Sequence, residues 1–156
     1  MNYSGNDFER DYQKLIDLAN SSEEADRAIG SVFGAFIGDA AGAVLEFFDS
    51  RIDEFNVIDA LKMPGGGRLG MGKGQITDDS EMALCIMHGL VDEECSRAPE
   101  KIPQVLNLDG ITHYFGIWSR KAFDIGFTTR KAFNKIYDFY NKNHHDTLAV
   151  FREVKK

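Results

Sequence analysis

Four glycines spaced four residues apart, Gly30, Gly34, Gly38 and Gly42, lie in an apolar stretch that reads as one helix from about residue 22 to Phe48. At 3.6 residues per turn they share one stripe of its surface. A glycine in a helix interior costs about 1 kcal/mol relative to alanine, so the stripe gives up on the order of 4 kcal/mol of propensity, which close packing is expected to return. Two environments suit such a helix: a tight helical core, or a membrane span with small residues at its contact face. Asp39 near the middle makes the membrane costly, by about 2.5–3.5 kcal/mol for a central carboxylate, and Glu46 adds to it. The reading is a buried helix of a soluble protein with no membrane partner.

Helical spacing recurs along the chain, and the apolar–polar alternation of strands is almost absent, so the expected class is all-α. Phe8, Tyr12, Leu15, Ile16 and Ala19 form a stripe over 8–19. Ser21 with Glu24 reads as a capping box for the glycine-bearing helix, and Asp78 with Glu81 as the box for a third running to about Asp92. Pro99 and Pro103 bracket a loop. Val105 to Phe123 suggests a helix around Trp118, and Thr128 is placed as the cap of a last one reaching about Asn143.

A chain of 156 residues with 43% hydrophobic composition supports one domain with a core of its own. Its net charge of −7 disfavours nucleic acid, because phosphate binding rests on Lys and Arg releasing counterions. The charge is uneven: residues 1–100 carry 8 Lys/Arg against 20 Asp/Glu, and residues 101–156 carry 10 against 5. Two solvated faces explain this, as does an acidic part that holds cations beside a basic part that meets a phosphorylated ligand or acidic partner. Cys85 and Cys95 offer neither a disulfide framework nor metal-ligand spacing, and the acidic N-terminus has no signal or transit character, so the expected compartment is the cytoplasm.

Chemistry concentrates in four places. Asp39 and Glu46 are seven residues apart, two turns on a continuous helix, and so would face the same way with Gly42 between them. They serve either a ligand or neighbouring helix termini. Between Gly65 and Gly74 lie six glycines whose spacing partly matches two nucleotide-binding patterns. The phosphate-loop match lacks its Ser/Thr, and neither match sits between a strand and a helix that starts at once, so a lid or ligand-approaching loop is set against a plain turn. Next come Thr77, Asp78, Asp79 and Ser80, hydroxyl and carboxylate oxygens that suit magnesium or manganese better than zinc, or that simply complement a helix dipole. Asp124 to Arg130, DIGFTTR, reads as a loop and cap between helices. The histidines form no metal-binding pair.

Taken together, GAFIGDAAGAVLEF at 34–47, PGGGRLGMGKGQITDDSEMAL at 64–84 and WSRKAFDIGFTTR at 118–130 resemble the ADP-ribosylglycohydrolase family, in that order and at similar spacing. The resemblance covers about residues 28–140. It implies an all-α orthogonal helical bundle with a two-metal centre of Mg2+ or Mn2+ that binds ADP-ribose and cleaves its glycosidic bond to a protein side chain. By position, Thr77, Asp78 and Asp79 correspond to metal ligands, Glu46 to a general acid/base or water-positioning residue, and Asp124 to an acidic residue near the distal ribose, grouped here with Glu46 as catalytic. Asp39, Gly126 and Thr128 are assigned to ligand binding. Desolvation by Val44, Leu45, Phe47 and Phe48 is expected to raise the pKa of Glu46.

The same resemblance implies a chain nearly twice as long, with a second D-x-D-[ST] group near its C-terminus. Asp53-Glu54 and Glu93-Glu94 have the wrong context to replace it. Residues 1–21 thus read as a helical extension and 22–156 as the N-terminal portion of the domain, with a partner chain or self-association expected to cover apolar faces left bare. The alternative to a glycohydrolase is a non-catalytic member that binds ADP-ribose or serves as a structural subunit.

Overall fold

The computed structural model describes residues 5–92 and 107–142. They are all-helical as expected: six α-helices and one 3-10 turn, with a single isolated β-bridge, Gly66 to Met71, in place of any strand. They divide into two compact units between Gln75 and Ile76.

The first unit opens with α1 (Gly5–Ala19), which packs against α2 (Glu23–Gly42). Ser21 closes α1 by donating its hydroxyl to the Leu18 carbonyl at 2.6 Å. The cap of α2 is one residue later than the expected box: Ser22 accepts from the Ala25 amide at 3.1 Å, and its carbonyl takes the first helical bond, from Asp26. Glu23, Glu24 and Asp26 complement the dipole of the first turn. The helix stops well short of Phe48. After Gly42 the backbone tightens into a 3-10 turn, Ala43–Leu45, Glu46 is extended, and Phe47 adopts a left-handed φ of 57°.

The packing expected around the glycine stripe is absent among the described residues. A methyl group added at Gly30, Gly34, Gly38 or Gly42 would meet nothing within 4 Å, and Phe33 and Ile37 on the same helix are exposed. The segment Glu23–Leu45 is long and apolar enough to cross a membrane by length and composition, and only 17% of its most apolar window is buried. The reason lies in the fold: α2 buries only its C-terminal end, Ala40 and Ala41, and the unit's other buried apolar residues are Ala43, Ala60 and Met71.

A short helix absent from the expectations, α3 (Glu54–Ala60), is held by a reciprocal capping box between Asp53 and Asn56. The glycine-rich segment that follows is a tight hairpin. Gly66 and Met71 exchange backbone hydrogen bonds at 2.7 and 2.8 Å around a turn in which Gly67 and Gly70 have positive φ. At Gly67 a side chain would lie 2.9 Å from the Val44 carbonyl, so only glycine lets the hairpin sit against the 3-10 turn.

The second unit is built on α4 (Asp78–Val91) packed against α5 (Leu108–Trp118), with α6 (Phe127–Lys142) against α5. The α4–α5 crossing is close enough that a methyl at Gly89 would collide with the Gly110–Ile111 backbone. Asn107 secures the start of α5 by accepting from the Gly110 amide and donating to the Asp92 carbonyl at 2.7 Å, while the Tyr114 hydroxyl donates to the Asp92 carboxylate at 2.9 Å. Phe133 of α6 packs on Phe115 and edge-on to Trp118. Two expected caps differ here. Thr77, not Asp78, stands at the N-cap of α4, and the Gly126 carbonyl takes the first bond of α6, leaving Thr128 exposed within its first turn. Pro99, Pro103, Val105 and Asn143 lie outside the described residues.

Candidate active site

In the second unit the structure joins two blocks that are far apart in sequence. The Asp78 carboxylate accepts from the Gly126 amide at 3.4 Å, across 48 residues. Because Thr77 fills the N-cap, Asp78 is the first helical residue of α4, and its side chain is available to the loop that ends in Gly126. Thr77 is buried, with 4% of its surface exposed, and Asp78 is half-buried; Asp79 is exposed. Asp124 is half-buried in the loop before α6. Three residues after Asp78, Glu81 accepts from the Trp118 indole N–H at 2.5 Å, a contact that ties the first turn of α4 to the last residue of α5. The expected pairing of Glu81 with Asp78 as a capping box is replaced by this bond. Ser80 is buried.

The oxygens of Thr77, Asp78 and Asp79 suit a hard cation, since magnesium is commonly held by one or two carboxylates with water completing its octahedron. They fit one side of such an ion. Among the described residues no three His, Cys, Asp or Glu side chains gather as a metal-binding group.

In the first unit, Glu46 lines a cavity of about 530 Å³ together with Val44, Phe47, Asp49, Gly67 and Arg68. The break in α2 at Gly42 puts Glu46 there; it also removes the two-turn alignment with Asp39, which is half-buried in the last turn of α2 and does not line this cavity. Glu46 itself is exposed, so the desolvation expected from its apolar neighbours is not supplied by the described residues. Phe47, bulky and left-handed, is the kind of backbone outlier that clusters at functional sites, at a cost of about 1–3 kcal/mol. Of the cavity's lining residues, Arg68 pairs with Asp49 at 3.0 Å. Sequence reasoning missed this pair: its only signal was an arginine inside a glycine-rich turn, with no indication of its partner.

The family model for ADP-ribosylglycohydrolase matches residues 20–149. The chain belongs to the ADP-ribosylglycohydrolase family. An ADP-ribosyl-(dinitrogen reductase) glycohydrolase of Rhodospirillum rubrum is 32% identical over 113 residues, which cover 70% of this chain and 34% of that protein. An ADP-ribosylarginine hydrolase of Serratia proteamaculans is 35% identical over 115 residues, 74% of this chain and 30% of its own length. A counterpart in Pseudomonas putida is 32% identical over 111 residues, 69% of this chain and 27% of its own. This ADP-ribosylglycohydrolase family member therefore spans about a third of the length of these relatives. No solved structure matches it significantly.

Proposed function

We propose that this protein is an ADP-ribosyl glycohydrolase that cleaves the bond between ADP-ribose and a protein side chain at a two-metal Mg2+ or Mn2+ site, working in the cytoplasm and needing a second half or partner for activity. The observation that carries the reading is the Asp78–Gly126 hydrogen bond, which unites the two family blocks at the start of α4. Thr77, Asp78 and Asp79 would hold the cation and Asp124 would face the ribose, with Gly126 and Thr128 shaping that side and Asp39 contributing to the ligand from α2. When bound, such an ion supplies Lewis-acid stabilisation of oxygen charge. Glu46 moves the proton: as a carboxylate it takes one from the attacking water, and as an acid it returns one to the departing group. The arginine linkage named for two relatives is among the substrates open to it.

The second reading, a non-catalytic ADP-ribose-binding module or structural subunit, draws on the shortfall of metal-binding groups among the described residues. Release of ADP-ribose from mono-ADP-ribosylated arginine and serine proteins, with manganese present, separates the two. Hydrolysis that falls 100-fold or more in Glu46→Gln, about 3 kcal/mol of transition-state stabilisation, supports the enzyme. Unchanged hydrolysis in that variant rejects Glu46 as the acid/base. Binding of ADP-ribose without turnover favours the module.

A further inference from the structure

We infer that the outward face of α6, together with the loop that leads into it, binds an unpaired nucleic-acid strand. Phe127, Arg130, Lys131 and Lys135 recur at intervals of three and four residues, so they share one side of the helix, and all are exposed. The opposite side is occupied: Thr129, Ala132 and Phe133 are half-buried, and Phe133 packs on Phe115 and Trp118. Arg120, Lys121 and Phe123 in the preceding loop are exposed as well. Phe127 leaves 82% of its surface open and Phe123 47%, so two aromatic rings stand among the cations.

Charge points to the partner. Residues 118–135 hold five Lys/Arg against one acidic residue, Asp124. Lys121, Arg130, Lys131 and Lys135 form no ion pair among the described residues, whereas Arg10, Lys14, Arg27, Lys62 and Arg68 in the first unit each meet a carboxylate. Two carboxylates of α4 that reach this segment are already engaged: Asp78 accepts from the Gly126 amide and Glu81 from the Trp118 indole. The whole chain's charge of −7 opposes nucleic acid only at long range, because salt screens exposed charges beyond about 8 Å. A thread-like anion lying on α6 meets the local excess of cations, which neutralise phosphates and release counterions. The phenylalanines separate nucleic acid from other anions, since a base stacks on an exposed ring wherever its own face is free, as in an unpaired strand. An anionic membrane fits less well: a helix binds lipid by laying its apolar side into the interface, and that side of α6 is packed on α5. Phe127 to Lys135 spans about 12 Å of helix, room for a few nucleotides.

The test is fluorescence anisotropy of a labelled oligothymidylate of about 12 nucleotides, titrated with the full chain. Neither metal nor ADP-ribose is present, so the outcome is separate from hydrolysis. Half-saturation is expected at about 1–100 μM in physiological salt, and log affinity should fall against log salt with a slope of about −3, for about four phosphates neutralised. Lys131→Glu and Lys14→Glu change the net charge equally. The first should weaken binding about tenfold and flatten the slope, and the second should leave both unchanged. Phe127→Ala should weaken binding about fivefold or more with the slope kept. Equal loss in Lys14→Glu, no loss in Phe127→Ala, or competition by polyglutamate as strong as by unlabelled strand overturns the inference. Absence of an anisotropy rise overturns it outright, and cosedimentation with phosphatidylserine vesicles in that case assigns the face to a lipid surface.

Discussion

Burial pushes the Cys85 thiol up from 9.0 to about 11, with the Glu81 carboxylate as the smaller cause. The thiol therefore stays protonated and unreactive at neutral pH, in keeping with a small core residue that donates to the Tyr114 carbonyl. Below pH 9.0 folded and unfolded chains both keep this proton, but between 9.0 and about 11 the unfolded chain releases it first, so stability falls as pH rises through that window. Urea midpoints across the window should drop more steeply for the natural protein than for Cys85→Ala; parallel curves would contradict this. Gly67 makes the other clear residue-scale demand, since alanine there needs both a positive φ and a displacement of the Val44 carbonyl. Gly67→Ala should cost about 1–3 kcal/mol in denaturant unfolding.

At the scale of elements, local signals were legible and contacts between distant segments were not. The expected first, second and third helices exist, because apolar spacing and serine or acidic starts encode them locally. The second breaks early since the 3-10 turn depends on packing near Ala43, and α3 was invisible because seven residues give periodicity too little length. Thr77 to Asp79 could be placed at a helix start from the acidic run before an apolar one. That Asp78 would meet Gly126, or Arg68 meet Asp49 across 19 residues, is written in no local pattern. Gly89 is a similar case: a lone glycine that lets α4 and α5 touch. The two helical glycine environments give opposite predictions. Gly89→Ala should destabilise by about 1–3 kcal/mol, because backbone fills the space. Gly34→Ala, with open space opposite, should stabilise by about 0.5–1 kcal/mol through helix propensity. A destabilised Gly34→Ala would mean that α2 is covered in solution.

For the whole molecule, the chain's span of about a third of its relatives sets the useful comparison. Saturating manganese and ADP-ribose, each at about 100 times its dissociation constant, should each add about 2.7 kcal/mol of stability by mass action and raise the thermal midpoint. Failure of both would leave the protein without the proposed ligand site, and a response to ADP-ribose alone would fit the binding module. Among the described residues α2 exposes Phe33 and Ile37, so such measurements belong on freshly monodisperse protein, because an exposed apolar helix invites self-association. One further property follows from the indole of Trp118, the chain's single tryptophan, and its bond to Glu81 beside Thr77 and Asp78. The molecule carries its own optical reporter: light emitted by that ring should change colour or brightness when the turn it touches is drawn toward an ion, with no label attached.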